Sequence, residues 1–130
     1  MTVSGTENVM KAALKNNVRK VVHFSTCAVH GINPKAPGVN ESAPLEKTDD
    51  IYTTNKIEAE AVALKYYNDH RLPVVVLRPP LIYGPHGFYW TSRIVKEIQA
   101  GAILVNGGNG AANLVYVDNL IDAVFLAMEN

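Results

Sequence analysis

The sequence is poor in cysteine, has no charge imbalance and contains no long apolar run. Its one cysteine, Cys27, stands alone among 130 residues. It cannot form an internal disulfide. A chain without disulfides suits a reducing compartment, so a cytoplasmic location is expected. Basic and acidic residues number 12 each, for a formal net charge of zero. No net field draws the chain to nucleic acid or to an anionic membrane. No apolar stretch approaches the roughly 20 residues a membrane helix needs. The N-terminus has no basic segment followed by an apolar one, so no secretory signal is read there. His23, His30, His70 and His86 are scattered, and none pairs with another His or Cys at ligand spacing. No metal site is therefore expected. What is present is an ordinary 48% of hydrophobic residues, in a chain long enough for one domain with a modest core.

The apolar pattern alternates between two periods. Residues 4 to 16 read as a helix, with Ser4 and Glu7 as a capping box and Val9, Met10, Ala13 and Leu14 on one face. Arg19 to Thr26 reads as a strand apolar on both faces, as inside a parallel sheet. Residues 27 to 48 read as a long loop, and such loops in compact domains are usually functional. A helix from about residue 51 to His70 follows, then a strand over residues 73 to 78 that ends at Pro79-Pro80. Leu81 to Trp90 reads as a second loop. Thr91 or Ser92 is expected to cap a helix that stops at Gly101. Short strands are expected at Ala102–Val105 and Leu114–Val117, separated by a glycine turn at Gly107-Gly108-Asn109-Gly110. Asp118 is expected to cap a last helix with Leu120, Ile121, Val124, Phe125 and Met128 inside. Strands alternating with helices predict an α/β fold with a parallel sheet.

The chain is organised around Tyr52-Thr53-Thr54-Asn55-Lys56. Asp49 or Asp50 can cap this helix, and good helix formers follow. Tyr52 and Lys56 are four residues apart and share a face. A cation near a phenol favours the phenolate and lowers its pKa, which makes a tyrosine a plausible proton carrier near neutral pH. An isolated Tyr-x-x-x-Lys is usually no more than an exposed Tyr and a solvated Lys. The flanking motifs give it meaning.

Those motifs fall in a set order. Ser4-Gly5-Thr6-Glu7-Asn8-Val9-Met10 opens a helix, and Phe24-Ser25-Thr26-Cys27-Ala28-Val29-His30-Gly31 leaves a strand end. Tyr52-x-x-x-Lys56 opens the next helix. Leu77-Arg78-Pro79-Pro80-Leu81-Ile82-Tyr83-Gly84-Pro85 leaves the next strand, and Asn113-Leu114-Val115-Tyr116-Val117-Asp118 follows. Together they resemble the extended short-chain dehydrogenase/reductase family, also called the NAD-dependent epimerase/dehydratase family. The likeness covers nearly the whole chain. It implies a Rossmann-like α/β sheet with flanking helices and NAD or NADP as cofactor. It implies Tyr52 as general acid/base and Lys56 as the residue that tunes Tyr52 and holds the nicotinamide ribose. It implies Thr26 as hydrogen-bond partner of the reacting oxygen, with Ser25 beside it on the cofactor side. Pro79, Pro80, Leu81 and Ile82 would pack on the nicotinamide end. Substrate would meet Thr26, Cys27, Ala28 and His86, although Cys27 by itself reads as a small apolar filler.

The departures from the family pattern are equally specific. The family's Gly-rich fingerprint, which seats a pyrophosphate at a helix N-terminus, has no counterpart in this sequence. Residues 1 to 130 therefore read as a single partial NAD(P)-binding domain, with the N-terminal βαβ half absent. Thr2 stands for a usual Asn, and His30 for a usual Tyr. Cys27-Ala28 stand where sugar dehydratases carry Asp-Glu, which argues for epimerisation or plain oxidoreduction. The expected activity is NAD(P)-dependent chemistry on a hydroxyl of a nucleotide-sugar or sterol-like small molecule, with this chain inactive alone. The alternative is a non-catalytic module. Either way, the unpaired edge of the Arg19–Thr26 strand predicts a homo-oligomer.

Overall fold

The computed structural model of the chain describes residues 2–31, 39–101 and 112–129. Helix α1 (Thr2–Lys15) leads to strand β1 (Val21–Phe24) and a 3-10 turn at Cys27–His30. Helix α2 (Ile51–His70) then feeds strand β2 (Val74–Leu77). Strand β3 (Leu81–Tyr83), a π-helical turn at Phe88–Ser92 and helix α3 (Arg93–Gln99) come next. Strand β4 (Leu114–Tyr116) and helix α4 (Val117–Glu129) complete the order.

The strands form two parallel pairs. β1 pairs with β2, Val21 opposite Val74 and Phe24 opposite Leu77. β3 pairs with β4, Leu81 opposite Leu114 and Tyr83 opposite Tyr116. A parallel pair needs a crossover, and α2 supplies it for β1 and β2. The valines of both strands suit a pleated surface covered by a helix. The α/β architecture expected from the alternating pattern is the one found.

The main core lies where α1 meets α2. Met10, Ala13, Ala63, Tyr66 and Leu72 are buried together, with Leu14, Val21, Val62 and Val74 packed on them. Val9, expected on that face, is exposed. Both helices stop at residues in the left-handed region, Asn17 at φ 51 and Arg71 at φ 57. The Arg71 N–H donates to the Tyr66 and Tyr67 carbonyls, satisfying the end of α2.

Several local expectations are corrected. Ser4 does not cap α1, because the helix already begins at Thr2. β1 covers only Val21–Phe24, the residues that face β2 in the ladder. The stretch after Pro80 is not a plain loop, since Leu81–Tyr83 pairs with β4 and Phe88–Ser92 is helical. Ser92 stands at the N-cap of α3, and Thr91 does not. Thr91 Oγ1 instead accepts from the Gly84 N–H at 3.1 Å, and Ser92 makes no side-chain cap. Asp118 lies inside the first turn of α4. The apolar residues of α4 are not enclosed: Ile121, Phe125 and Met128 are all exposed. The expected strand at 102–105 and glycine turn at 107–110 lie outside the described residues, as do Pro34, Pro37 and Gly38 of the first loop.

Candidate active site

The candidate residues converge at the carboxyl ends of β1 and β2. Beyond β1, the Ser25 N–H donates to the Leu77 carbonyl at 2.8 Å, and the Cys27 N–H to the Pro79 carbonyl at 3.1 Å. The Thr26 segment and the Pro79 segment are therefore stitched together past the last ladder pair. Thr26 is extended, with φ −156 and ψ 151, and caps the 3-10 turn. Its Oγ1 accepts from the Ala28 N–H at 3.3 Å, which leaves its own O–H free to donate elsewhere.

Helix α2 brings the other two residues to this place. Asp50 is its N-cap, accepting from the N–H groups of Tyr52 at 3.2 Å and Thr53 at 2.9 Å, and from the Thr53 hydroxyl at 2.7 Å. The Thr53 hydroxyl and both N–H groups hold the Asp50 carboxyl below its usual range. Tyr52 sits in the first turn with 56% of its surface exposed. One turn on, Lys56 Nζ donates to the Phe24 carbonyl at 2.9 Å. It stands 5.9 Å from the centroid of the Tyr52 ring, within cation–π range. An ammonium has three donors, so this bond to the end of β1 leaves others available.

A further turn along the same face is Glu60, fully buried. It forms a two-pronged ion pair with Arg78, whose Nε donates at 3.2 Å and whose second terminal nitrogen donates to Oε1. Burial raises the Glu60 carboxyl. The Arg78 hydrogen bonds, the nearby Ser25 hydroxyl and the positive charges of Arg78 and His23 outweigh this and leave it below the ordinary value. Ser25 Oγ approaches without completing a hydrogen bond of standard geometry. The other terminal nitrogen of Arg78 donates to His30 Nε2 and to the Glu41 carbonyl, each at 3.0 Å. Glu60, Arg78, Leu77 and Val76 line a cleft with Glu41 and Leu64.

Neither Glu60 nor Arg78 was expected to matter from the sequence. The signal was the four-residue spacing of Tyr52, Lys56 and Glu60, one helical face that keeps a carboxylate inside. His23, on β1, is a second titratable group. Burial lowers its pKa and the Lys56 charge adds to this, against the opposing pull of Glu60. Burial pushes the Cys27 thiol up, so it stays protonated near neutrality.

The remaining candidates are placed as follows. Ser25 is buried at 4% exposure, Pro79 is buried, and Pro80 and Ala28 are partly exposed. Leu81 and Ile82 are strand residues of β3. His86 is exposed, at φ 64, in the turn after β3. Among the described residues no hydrogen bond joins His86 to Thr26, Tyr52 or Lys56.

Parallel strands crossed by helices, with the polar side chains gathered at the strands' carboxyl ends, define a Rossmann-like α/β protein. The model of the NAD dependent epimerase/dehydratase family matches residues 1–130, and the chain belongs to that family. It is 34% identical over 139 residues to short-chain dehydrogenase/reductase family 42E member 1 of Xenopus laevis, covering 99% of this chain and 36% of the relative. It is 28% identical over 133 residues to the N-acetyl-alpha-D-glucosaminyl-diphospho-ditrans,octacis-undecaprenol 4-epimerase of Escherichia coli O157:H7, covering 100% of this chain and 39% of that protein. The solved dTDP-glucose 4,6-dehydratase of Bacillus anthracis str. Ames, in complex with NAD, superposes with a TM-score of 0.86 at 26% identity. That match covers 99% of this chain and 43% of the dehydratase. The chain thus spans about two fifths of the length of these relatives.

Proposed function

We propose that these residues form the proton-transfer half of a nicotinamide-dependent epimerase or dehydrogenase site, acting on a hydroxyl of a nucleotide-sugar or sterol-like substrate. The observation that carries this reading is the Lys56 ammonium, fixed on the Phe24 carbonyl beside the exposed Tyr52 ring. Tyr52 takes the proton of the substrate hydroxyl. Thr26 donates its hydroxyl hydrogen to the reacting oxygen and orients it. Lys56 supplies positive charge beside the ring and uses its spare donors on the nicotinamide ribose. The bound nicotinamide supplies the hydride acceptor. The residues at hand suit the nicotinamide-ribose end of such a cofactor. The seat for its pyrophosphate, a Gly-rich strand-to-helix turn, is not in this sequence. Residues 1 to 130 then act as part of one NAD(P)-binding domain.

Epimerisation or simple oxidoreduction suits the site better than dehydration. Dehydration needs an acid and a base next to Thr26 to remove water, and here Cys27 and Ala28 hold those positions. The test is a calorimetric titration of the chain with NADH and NADPH, repeated with Lys56→Ala. Saturable binding is expected, weakened about tenfold or more in the variant through loss of a charge-assisted hydrogen bond. Equal binding by both proteins would remove Lys56 from the site. No binding at millimolar cofactor would show that residues 1–130 cannot act alone.

A further inference from the structure

The bond between Arg78 and His30 fixes the state of the imidazole. A guanidinium has donors only, so the Arg78 nitrogen at 3.0 Å requires a lone pair on His30 Nε2. The ring hydrogen must then sit on Nδ1, which faces the Pro44 carbonyl at 3.4 Å. In this geometry His30 is neutral and holds a single tautomer. Protonating it would set Nε2–H against an Arg78 N–H, two donors and two positive charges at hydrogen-bond distance. That contact cannot survive.

What the bond joins gives it a role. His30 is the last residue of the 3-10 turn that Thr26 caps. Arg78 is held by Glu60, which lies on the Tyr52–Lys56 face of α2. One chain of polar contacts therefore runs from the helix of Tyr52 and Lys56, through Glu60 and Arg78, to the turn that carries Thr26. The same Arg78 nitrogen also holds the Glu41 carbonyl, and the Glu46 N–H donates to the Val29 carbonyl of the turn at 2.8 Å. Among the described residues, the charged groups linked to His30 are Arg78 from the segment after β2, Glu60 from α2 through Arg78, and Glu41 and Glu46 from the segment before α2. Glu46 places its carboxylate against Gly31, the next residue. His23 on β1 acts on Glu60.

We propose that His30 is a positioning residue of this site: as a neutral acceptor it locks the Thr26 turn to the Tyr52 helix through Arg78 and Glu60, and acidification releases the lock. The inference rests on reading Thr26, Tyr52 and Lys56 as one site.

The test is nuclear magnetic resonance on the 15N-labelled chain. Long-range proton–nitrogen spectra report the tautomer of each histidine, with His30 assigned by its loss in His30→Gln. At pH 8 the Nδ1–H tautomer of His30 is expected. As the pH falls, the amide signals of Thr26, Cys27 and Ala28 should move with the same midpoint as the His30 ring. His30→Gln keeps a carbonyl acceptor for Arg78 at every pH. It should leave those amides at their pH 8 positions and flatten their response to acid. An Nε2–H tautomer at pH 8 would overturn the proposal. So would a Thr26 turn indifferent to the His30 titration, or an acid response unchanged in His30→Gln. None of these readouts needs cofactor. Failure to bind NADH would thus count against the proposed function alone, and a silent His30 titration against the lock alone.

Discussion

A buried charge is costly unless it is paired and hydrogen-bonded. Glu60 is fully buried, and its partner Arg78 keeps 18% of its side chain exposed. Removing one member of such a pair strands the other, a cost of 3 to 5 kcal/mol when both are fully buried. Glu60→Gln keeps the shape and deletes the charge, and water can still reach part of Arg78. A loss of about 3 kcal/mol in urea unfolding is therefore expected, against little or no change for Glu97→Gln, whose pairing with Arg93 is at the surface. The folded Glu60 carboxyl lies below its ordinary 4.5. Its contribution is thus full above that value and is lost as the pH falls through the lowered one. His23 works in the same direction at higher pH. Its folded pKa lies below the ordinary 6.5. The unfolded chain then binds the proton first, and stability falls as the pH drops below 6.5. His23→Val should narrow the gap between urea midpoints at pH 7.5 and 5.5. An unchanged gap would mean that His23 does not contribute. The residue scale was only partly legible in advance. Thr26, Tyr52 and Lys56 stood out because their types and spacing carry chemistry. Glu60 and Arg78 did not, because a charged residue on a helix reads as solvated until its neighbours are known.

At the scale of elements, α2 and the strands β1, β2 and β4 were legible, and β3 was not. α2 announced itself through Asp50, an uninterrupted run of helix formers and a stop near Arg71. All of these cues are local in sequence. β3 gave no such cue. Three residues behind Pro79-Pro80 read as loop, and only pairing with β4 makes them a strand. That pairing is a tertiary event which no local propensity encodes. Gly84 ends β3 at φ 145, and a Cβ there would lie 2.6 Å from Val117 Cγ1 at the start of α4. The neighbour is the branch of a β-branched side chain and has little room to turn aside. Gly84→Ala should therefore cost about 2 kcal/mol, from a disfavoured φ and the forced repacking of β3 against α4. Equal melting temperatures for variant and parent would show that this junction is loose.

At the scale of the molecule, the apolar pattern gave the right face of α4 and the wrong surroundings. Ile121, Phe125 and Met128 lie at helical spacing, as a buried stripe would, yet each is about half exposed or more. Phe88, Tyr89 and Trp90 are also exposed, at 61%, 66% and 46%. Among the described residues, the β1 edge opposite β2 has no partner strand. Periodicity reports which side of a helix is apolar and says nothing of what lies against it. Surfaces of this kind recruit partners. Residues 1–130 are expected to self-associate at micromolar concentration, giving a mass above 14.2 kDa by light scattering. Phe125→Glu, which charges the α4 face, should reduce that association. A clean monomer at that concentration would show that these surfaces stay solvated. Among the described residues no helix is long and apolar enough to cross a membrane.

The ladder of β1 against β2 joins Val21 to Val74, roughly fifty residues along the chain. Helix α2 can coil from its own local contacts within microseconds. The ladder must wait until that whole loop has closed, and its closure entropy is spent before any strand contact rewards it. The ends of those two strands are where Thr26, Lys56 and Arg78 meet. Of the two described strand pairings this one closes the longer loop, so the candidate site is expected to assemble late in folding and to loosen when the chain is nicked between residues 26 and 73.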